Sequence, residues 1–147
     1  MKLFVLRHGK AADGFPDEQR ELTERGRADL SHVLSSRHSD VGQLDKVQCS
    51  PLLRARQTAE IARGALTFEG PCEINEYLVP WASPLEFLNS LDDNLESLLV
   101  ASHQPFVSEL VEYLTDERIA MPTSTLVLVD VEYPAQGGGN VVWVETR

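Results

Sequence analysis

Short apolar runs alternate along the chain with stretches whose apolar positions recur every three or four residues. The first run, Leu3 to Leu6, is continuous, as expected of a strand covered on both faces. After a polar loop from Lys10 to Glu21, Thr23 can cap a helix running toward Arg37, with Leu30, Val33 and Leu34 on one face. A second strand is expected from about Asp45 to Cys49. Ser50 and Pro51 then read as helix cap and first helical residue, with Leu52, Ala55, Ala59 and Ala62 at helical intervals and Gly64 as the stop. A third apolar piece spans Ile74 to Val79. Ser83-Pro84-Leu85-Glu86 has the spacing of a capping box, and Leu85, Leu88, Leu91 and Leu95 continue it at helical intervals. Leu98 to Ala101, within Ser97 to Ser102, is another two-sided strand. Phe106, Val107, Leu110, Val111 and Leu114 mark an amphipathic helix. Thr125 to Glu132 and Asn140 to Glu145, joined by Gly137-Gly138-Gly139, read as a terminal hairpin. The alternation predicts an α/β fold, a three-layer α/β/α sandwich around a mostly parallel sheet that ends in an antiparallel hairpin.

Composition narrows this picture. The 147 residues suit one domain, residues 1–147, with no repeat, low-complexity tract or linker to divide them. A hydrophobic fraction of 42% with 24% charged residues is that of an ordinary globular protein. Subtracting 23 acidic from 13 basic residues leaves a net charge of −10, which disfavours nucleic acid and anionic membranes as partners. Cys49 and Cys72 are too few for a disulfide framework and read as reduced core thiols. No window approaches the ~20 apolar residues of a membrane span, and the apolar start meets Arg7 too early for a signal peptide. A cytoplasmic monomer is expected.

Several chemistry-bearing residues fall at one end of the expected sheet. Arg7-His8-Gly9 follows the first strand, His103 follows the strand ending at Ser102, and Arg54 and Arg56 open the helix after Ser50. In open parallel sheets ligands bind beyond the carboxyl ends of the strands. Guanidinium groups match phosphoryl oxygens and keep a neighbouring imidazole neutral, hence nucleophilic. Gly9 would let a substrate approach the backbone beside His8. The set is suited to a phosphoryl dianion attacked by a histidine, and tungstate or a similar oxyanion should bind between His8, Arg54 and His103. No His, Asp or Glu set has the spacing of metal ligands, so no metal or cofactor is expected. His32 and His38 read as surface residues, and the triple glycine lacks the lysine and helix of a phosphate-binding loop.

Leu6-Arg7-His8-Gly9, Leu22-Thr23-Glu24-Arg25-Gly26, Ser50-Pro51-Leu52-Leu53-Arg54-Ala55-Arg56-Gln57-Thr58-Ala59 and Ser102-His103-Gln104-Pro105 occur in that order. Together they resemble the histidine phosphatase superfamily, with its phosphoglycerate-mutase-like fold, and within it the small bacterial phosphohistidine phosphatases. The resemblance implies that His8 is the nucleophile, that Arg7 and Arg54 hold the phosphoryl oxygens and that His103 donates a hydrogen bond to them. It places Arg20 at the site mouth, gives Gly9, Ser50 and Gln104 substrate-binding roles and leaves Arg56 at a variable, solvated position.

Two departures sharpen the expectation. Ala11-Ala12-Asp13-Gly14 lacks the asparagine that superfamily mutases carry after Arg-His-Gly, and the acidic proton donor of a longer insertion is missing, with Glu76 the nearest candidate. An ester needs a general acid to expel its alkoxide, whereas the imidazole of phosphohistidine leaves more readily. The expected substrate is therefore a phosphohistidine protein, in a shallow, lidless crevice. A phosphatase for a small metabolite and a non-catalytic phosphate-binding module are the alternatives. The intact set Arg7, His8, Arg54 and His103 counts against the module.

Overall fold

The two continuous apolar runs, Leu3 to Leu6 and Leu98 to Ala101, form the central strands of the sheet and are buried on both faces. A computed structural model describes all residues, Met1–Arg147. The strands are β1 (Lys2–Arg7), β2 (Lys46–Cys49), β3 (Cys72–Ile74), β4 (Ser97–Ser102), β5 (Leu126–Val131) and β6 (Gly139–Glu145). They form one sheet in the order β3-β2-β4-β1-β5-β6, parallel from β3 to β1 and antiparallel at β5 and β6. Successive β1 side chains point to opposite faces. Phe4 and Leu6 join α1 (Glu24–Ser36) and α3 (Leu53–Ala65) through Leu30, Leu34, Ala59 and Ala62. Leu3 and Val5 join α4 (Pro84–Asn89) and α5 (Phe106–Thr115) through Phe87, Phe106, Leu110 and Leu114. The result is the expected three-layer sandwich with its hairpin. A one-turn α2 (His38–Val41) follows α1.

Local signals explain the helix starts. Thr23 Oγ1 accepts from Gly26 N at 2.9 Å, and Ser83 Oγ from Glu86 N at 3.4 Å, each closing a first turn. The second helical motif behaves differently from its sequence reading. Ser50 does not cap α3, because its backbone N donates to Ala101 O at 3.1 Å and so prolongs the strand ladder. Leu52 is the cap residue, and the helix passes Gly64 to end at Ala65.

Three further boundaries move. The third strand is Cys72–Ile74, because Asn75 Oδ1 accepts from Tyr77 N at 2.9 Å and turns Glu76–Leu78 into a 3-10 helix. Helix α4 stops at Asn89, so Leu91 and Leu95 reach the core from non-helical chain. The β5–β6 turn takes in Glu132 to Gly138. Of the cysteines, Cys49 is buried and Cys72 only half-buried, both free.

The Thr23–Gly26 motif also positions the loop leaving β1. Thr23 N donates to Lys10 O at 2.9 Å. A Cβ on Gly26 would lie 2.2 Å from Lys10 O, and one on Gly9 2.8 Å from Leu30 Cδ1. These two glycines let the β1 exit lie directly on α1. Packing against the helix by itself requires a glycine at position 9.

Candidate active site

The exit of β1 fixes His8 from both sides. Its N donates to Ser102 O on β4 at 2.9 Å, and its O accepts from Ser124 N, ahead of β5, at 3.1 Å. The ring's Nδ1 lies 2.7 Å from Gly9 O. A carbonyl can only accept, so Nδ1 carries the proton and Nε2 keeps a lone pair. Burial, assisted by Arg54, Arg7 and Arg20 and opposed by the Gly9 bond, lowers the His8 pKa to about 4. The imidazole is neutral at physiological pH, with the Nε2 lone pair free.

His103 is its neighbour, ring centroids 5.0 Å apart. Ser50 Oγ accepts from Leu52 N at 3.1 Å and lies 2.6 Å from His103 Nε2. The hydroxyl can give its proton to Nε2, an arrangement that places the ring's own proton on Nδ1. That Nδ1 is buried and unpartnered. Burial, then the charges of His8 and Arg54, brings the pKa down to about 3, with Asp17 opposing. His103 is therefore a neutral N–H donor.

Two arginines complete the floor. Arg7 donates from Nη1 to Met121 O at 3.0 Å, and burial lowers its pKa from the ordinary value. Arg54, only 5% exposed, reaches from the first turn of α3 to Asp17 O at 2.8 Å and Asp17 Oδ2 at 3.2 Å. Asp17 also accepts from Arg20 Nε at 2.9 Å, and that bond holds its carboxyl below the ordinary range. Arg20 Nη1 donates to Ala12 O at 3.2 Å, so Arg20 braces the loop at the mouth. Thr58 Oγ1 donates to Arg54 O and accepts from Gly9 N, tying α3 to the His8 loop.

Buried polar side-chain atoms in proteins nearly always find partners. Those without one here are Arg7 Nε, Arg54 Nε, His103 Nδ1, Ser124 Oγ and Thr125 Oγ1. All belong to this neighbourhood, since Thr125 O accepts from Arg7 N at 3.0 Å and Ser124 N bonds His8. Unsatisfied polar atoms on Arg7, Arg54 and His103, beside a neutral histidine, suit an oxyanion. No group of three or more His, Cys, Asp or Glu side chains stands ready for a metal ion.

The structure brings Arg7, His8, Ser50, Arg54 and His103 together, with Arg20 at the mouth. It does not bring Glu76, which is exposed on the 3-10 helix after β3 and is not among the charges acting on either histidine. Gln104 turns away as well. Its Nε2 donates to Ser108 Oγ at 2.7 Å and Met121 O at 3.2 Å, steadying the carbonyl that receives Arg7. His32 and His38 are exposed, as expected. Sequence reasoning missed Asp17, Thr58, Ser124 and Met121. Thr58 alone had a signal, its place in the Ser50–Ala59 motif.

The family model for the histidine phosphatase superfamily (branch 1) matches residues 3–82. The chain belongs to that superfamily. Phosphohistidine phosphatase SixA of Escherichia coli (strain K12) is 30% identical, the alignment covering 97% of this chain and 92% of that one. A SixA homolog of Haemophilus influenzae is 32% identical over 80% of this chain and 79% of its own. The solved structure of the protein histidine phosphatase SixA complexed with tungstate superposes with a TM-score of 0.87 at 27% identity, over 99% of this chain and 97% of that one. This histidine phosphatase therefore shares its whole architecture with an oxyanion-binding relative. No helix is long and apolar enough to cross a membrane.

Proposed function

We propose that this phosphatase hydrolyses phosphohistidine on proteins in two steps through phospho-His8. Nε2 of His8 attacks phosphorus and the P–N bond to the substrate imidazole breaks, the departing ring taking a proton from water. Water then attacks the phosphoryl group, the His8 Nε2–P bond breaks, and inorganic phosphate leaves with His8 neutral again. Arg7 and Arg54 hold the equatorial oxygens, and the N–H of His103 meets the charge that grows on them. Ser50 holds that N–H in place. Gly9 and Gln104 act by positioning, and Arg20 by keeping Asp17 and its loop at the mouth.

The observation that carries this reading is the free Nε2 of a neutral His8, with the His103 ring 5.0 Å away and the charges of Arg54 and Arg7 acting on it. The choice of phosphohistidine rests on the missing acid. Glu76 lies outside the site, and the one carboxyl close to it, Asp17, is held ionised. A site without a proton donor favours a substrate whose leaving group needs little help. The two SixA relatives support the same substrate class.

The test is labelling. Brief incubation with a labelled substrate should give a phosphoenzyme labile to acid and stable to alkali, as a phosphoramidate is. His8→Ala should abolish it, while His103→Ala should slow turnover by ~10²–10³-fold and still label. Undiminished labelling of folded His8→Ala would falsify the mechanism. Turnover of a phosphorylated metabolite far faster than of a phosphohistidine protein would overturn the substrate class.

A further inference from the structure

Large apolar side chains are exposed unevenly over the surface. Phe15 (97% exposed) lies in the segment leaving β1, while Ile74 (55%), Tyr77 (46%) and Trp81 (78%) end or follow β3. These segments leave the carboxyl ends of parallel strands, the end where His8 and His103 sit. Leu85, Tyr133 and Val142 are the other exposed large apolar side chains, so four of the seven leave this end of the sheet.

Ile74 also lines a groove of about 540 Å³ between α3 and β3. Its apolar wall is Leu53, Ile61 and Ile74. Its floor is the thiols of Cys49 and Cys72, which burial pushes up to about 11 and about 12 and so keeps uncharged. It adjoins the phosphoryl site directly: Leu53 precedes Arg54, and Cys49 precedes the Ser50 that bonds His103.

The groove also has a charge. Arg27 and Arg56 stand at its edge. Their helix neighbours Arg25 and Arg63 have acids in reach, Asp29 at 3.8 Å and Glu60 at 3.7 Å. Arg27 and Arg56 have no acid within 4 Å, and the one carboxylate lining the groove, Glu60, is engaged by Arg63. In a chain with ten more acidic than basic residues (23 minus 13), a groove lined by two guanidiniums without a salt-bridge partner and by one carboxylate that Arg63 engages keeps a local positive balance, complementary to an acidic occupant from outside.

Building on the function proposed above, we infer that this groove docks the phosphorylated protein itself. The partner would seat a large apolar side chain against Leu53, Ile61 and Ile74 and set carboxylates against Arg27 and Arg56, while its phosphohistidine enters beside His8. Local cations would thus offset the repulsion that an acidic partner meets from the chain as a whole. Arg56, solvated with respect to the phosphoryl group, gains a role one step removed from chemistry.

The experiment compares three substrates on one set of variants: an acidic, histidine-phosphorylated protein, free phosphohistidine and an aryl phosphate. Arg27→Glu with Arg56→Glu, and separately Ile74→Asp, should raise KM for the phosphoprotein by about tenfold or more and leave both small substrates unchanged. Added salt should raise the wild-type KM for the phosphoprotein and affect the double variant little. Equal KM values for the phosphoprotein across the set would overturn the docking alone. So would parallel losses on all three substrates, or a wild-type dimer that the substitutions dissociate, since the groove would then belong to a second copy. A wild-type protein that leaves phosphohistidine untouched would overturn the proposed function and the docking with it.

Discussion

Replacing Ser50 by alanine tests whether two hydrogen bonds decide what His103 can do. The hydroxyl accepts from Leu52 N at 3.1 Å and stands 2.6 Å from His103 Nε2, all in fully buried surroundings. Alanine leaves two buried groups unpaired, the Leu52 N–H and the Nε2 lone pair. Each orphan costs ~1–3 kcal/mol, so the midpoint of thermal unfolding should fall measurably. Catalysis should suffer for a separate reason, because nothing then holds the ring proton on Nδ1. His103→Ala removes the donor outright and should cost ~10²–10³-fold in kcat. Ser50→Ala keeps the ring and loses only its fixed tautomer, so the loss in kcat should be smaller, about tenfold. Nitrogen-15 spectra of the imidazole give the readout that a purely structural role would not move. Wild-type His103 should show a protonated Nδ1 and a bare Nε2, and the variant a mixture of tautomers. Ser50→Thr keeps the hydroxyl and should restore the wild-type spectrum. A wild-type spectrum with the proton on Nε2, or an unchanged kcat in folded Ser50→Ala, would refute the argument.

Acid should weaken the protein and its activity in a defined window. His8 and His103 have folded values of about 4 and about 3 against 6.5, so the unfolded chain binds protons more readily. Their contribution to stability is complete above 6.5 and is lost as pH falls toward the folded values. For His8 it amounts to about 3 kcal/mol at ~1.4 kcal/mol per pH unit. Urea midpoints across that range should show it, and the acid limb of kcat/KM should lie near pH 4; a limb near pH 6.5 would contradict a buried neutral nucleophile. Gly26→Ala should push the β1 exit off α1, since its Cβ would sit 2.2 Å from Lys10 O. A cost of ~1–3 kcal/mol, or roughly 3 °C in Tm per kcal/mol, is expected, and a variant as stable as wild type would remove the explanation for the motif.

The sequence was most legible where one physical requirement dominates. Leu3 to Leu6 and Leu98 to Ala101 are continuous apolar runs because helices cover both sides of those strands. Thr23 was readable as a cap because its partner is only three residues away. Long-range partners defeated the local reading elsewhere. Ser50 has the residue type and following proline of a cap, yet β4 and His103 claim its backbone and hydroxyl. Leu91 and Leu95 keep a helical spacing, but Ser90 Oγ turns back to Phe87 O, and Asp92 reaches across to Lys46 at 2.8 Å. The four residues proposed to hold the phosphoryl group could be named from motifs, whereas Asp17 sits in a polar loop with no periodicity. Only folding brings it to Arg54.

That pairing bears on how a site for dianions works in an acidic protein. Arg54 is nearly buried, and a buried guanidinium with no anion would be costly. Asp17 supplies one, but from the surface: its side chain is 63% exposed and also engaged by Arg20. A carboxylate so exposed gives Arg54 little net stabilisation, so a bound phosphoryl group can take over the interaction at small cost. The backbone carbonyl of Asp17 meanwhile keeps the Arg54 fork oriented through Nη1, and Nε stays free. The two histidines escape the same difficulty by being neutral. The cations of the crevice are thus held in place by groups that either yield to the ligand or carry no charge, and the net charge of the chain is no obstacle to phosphate chemistry inside it.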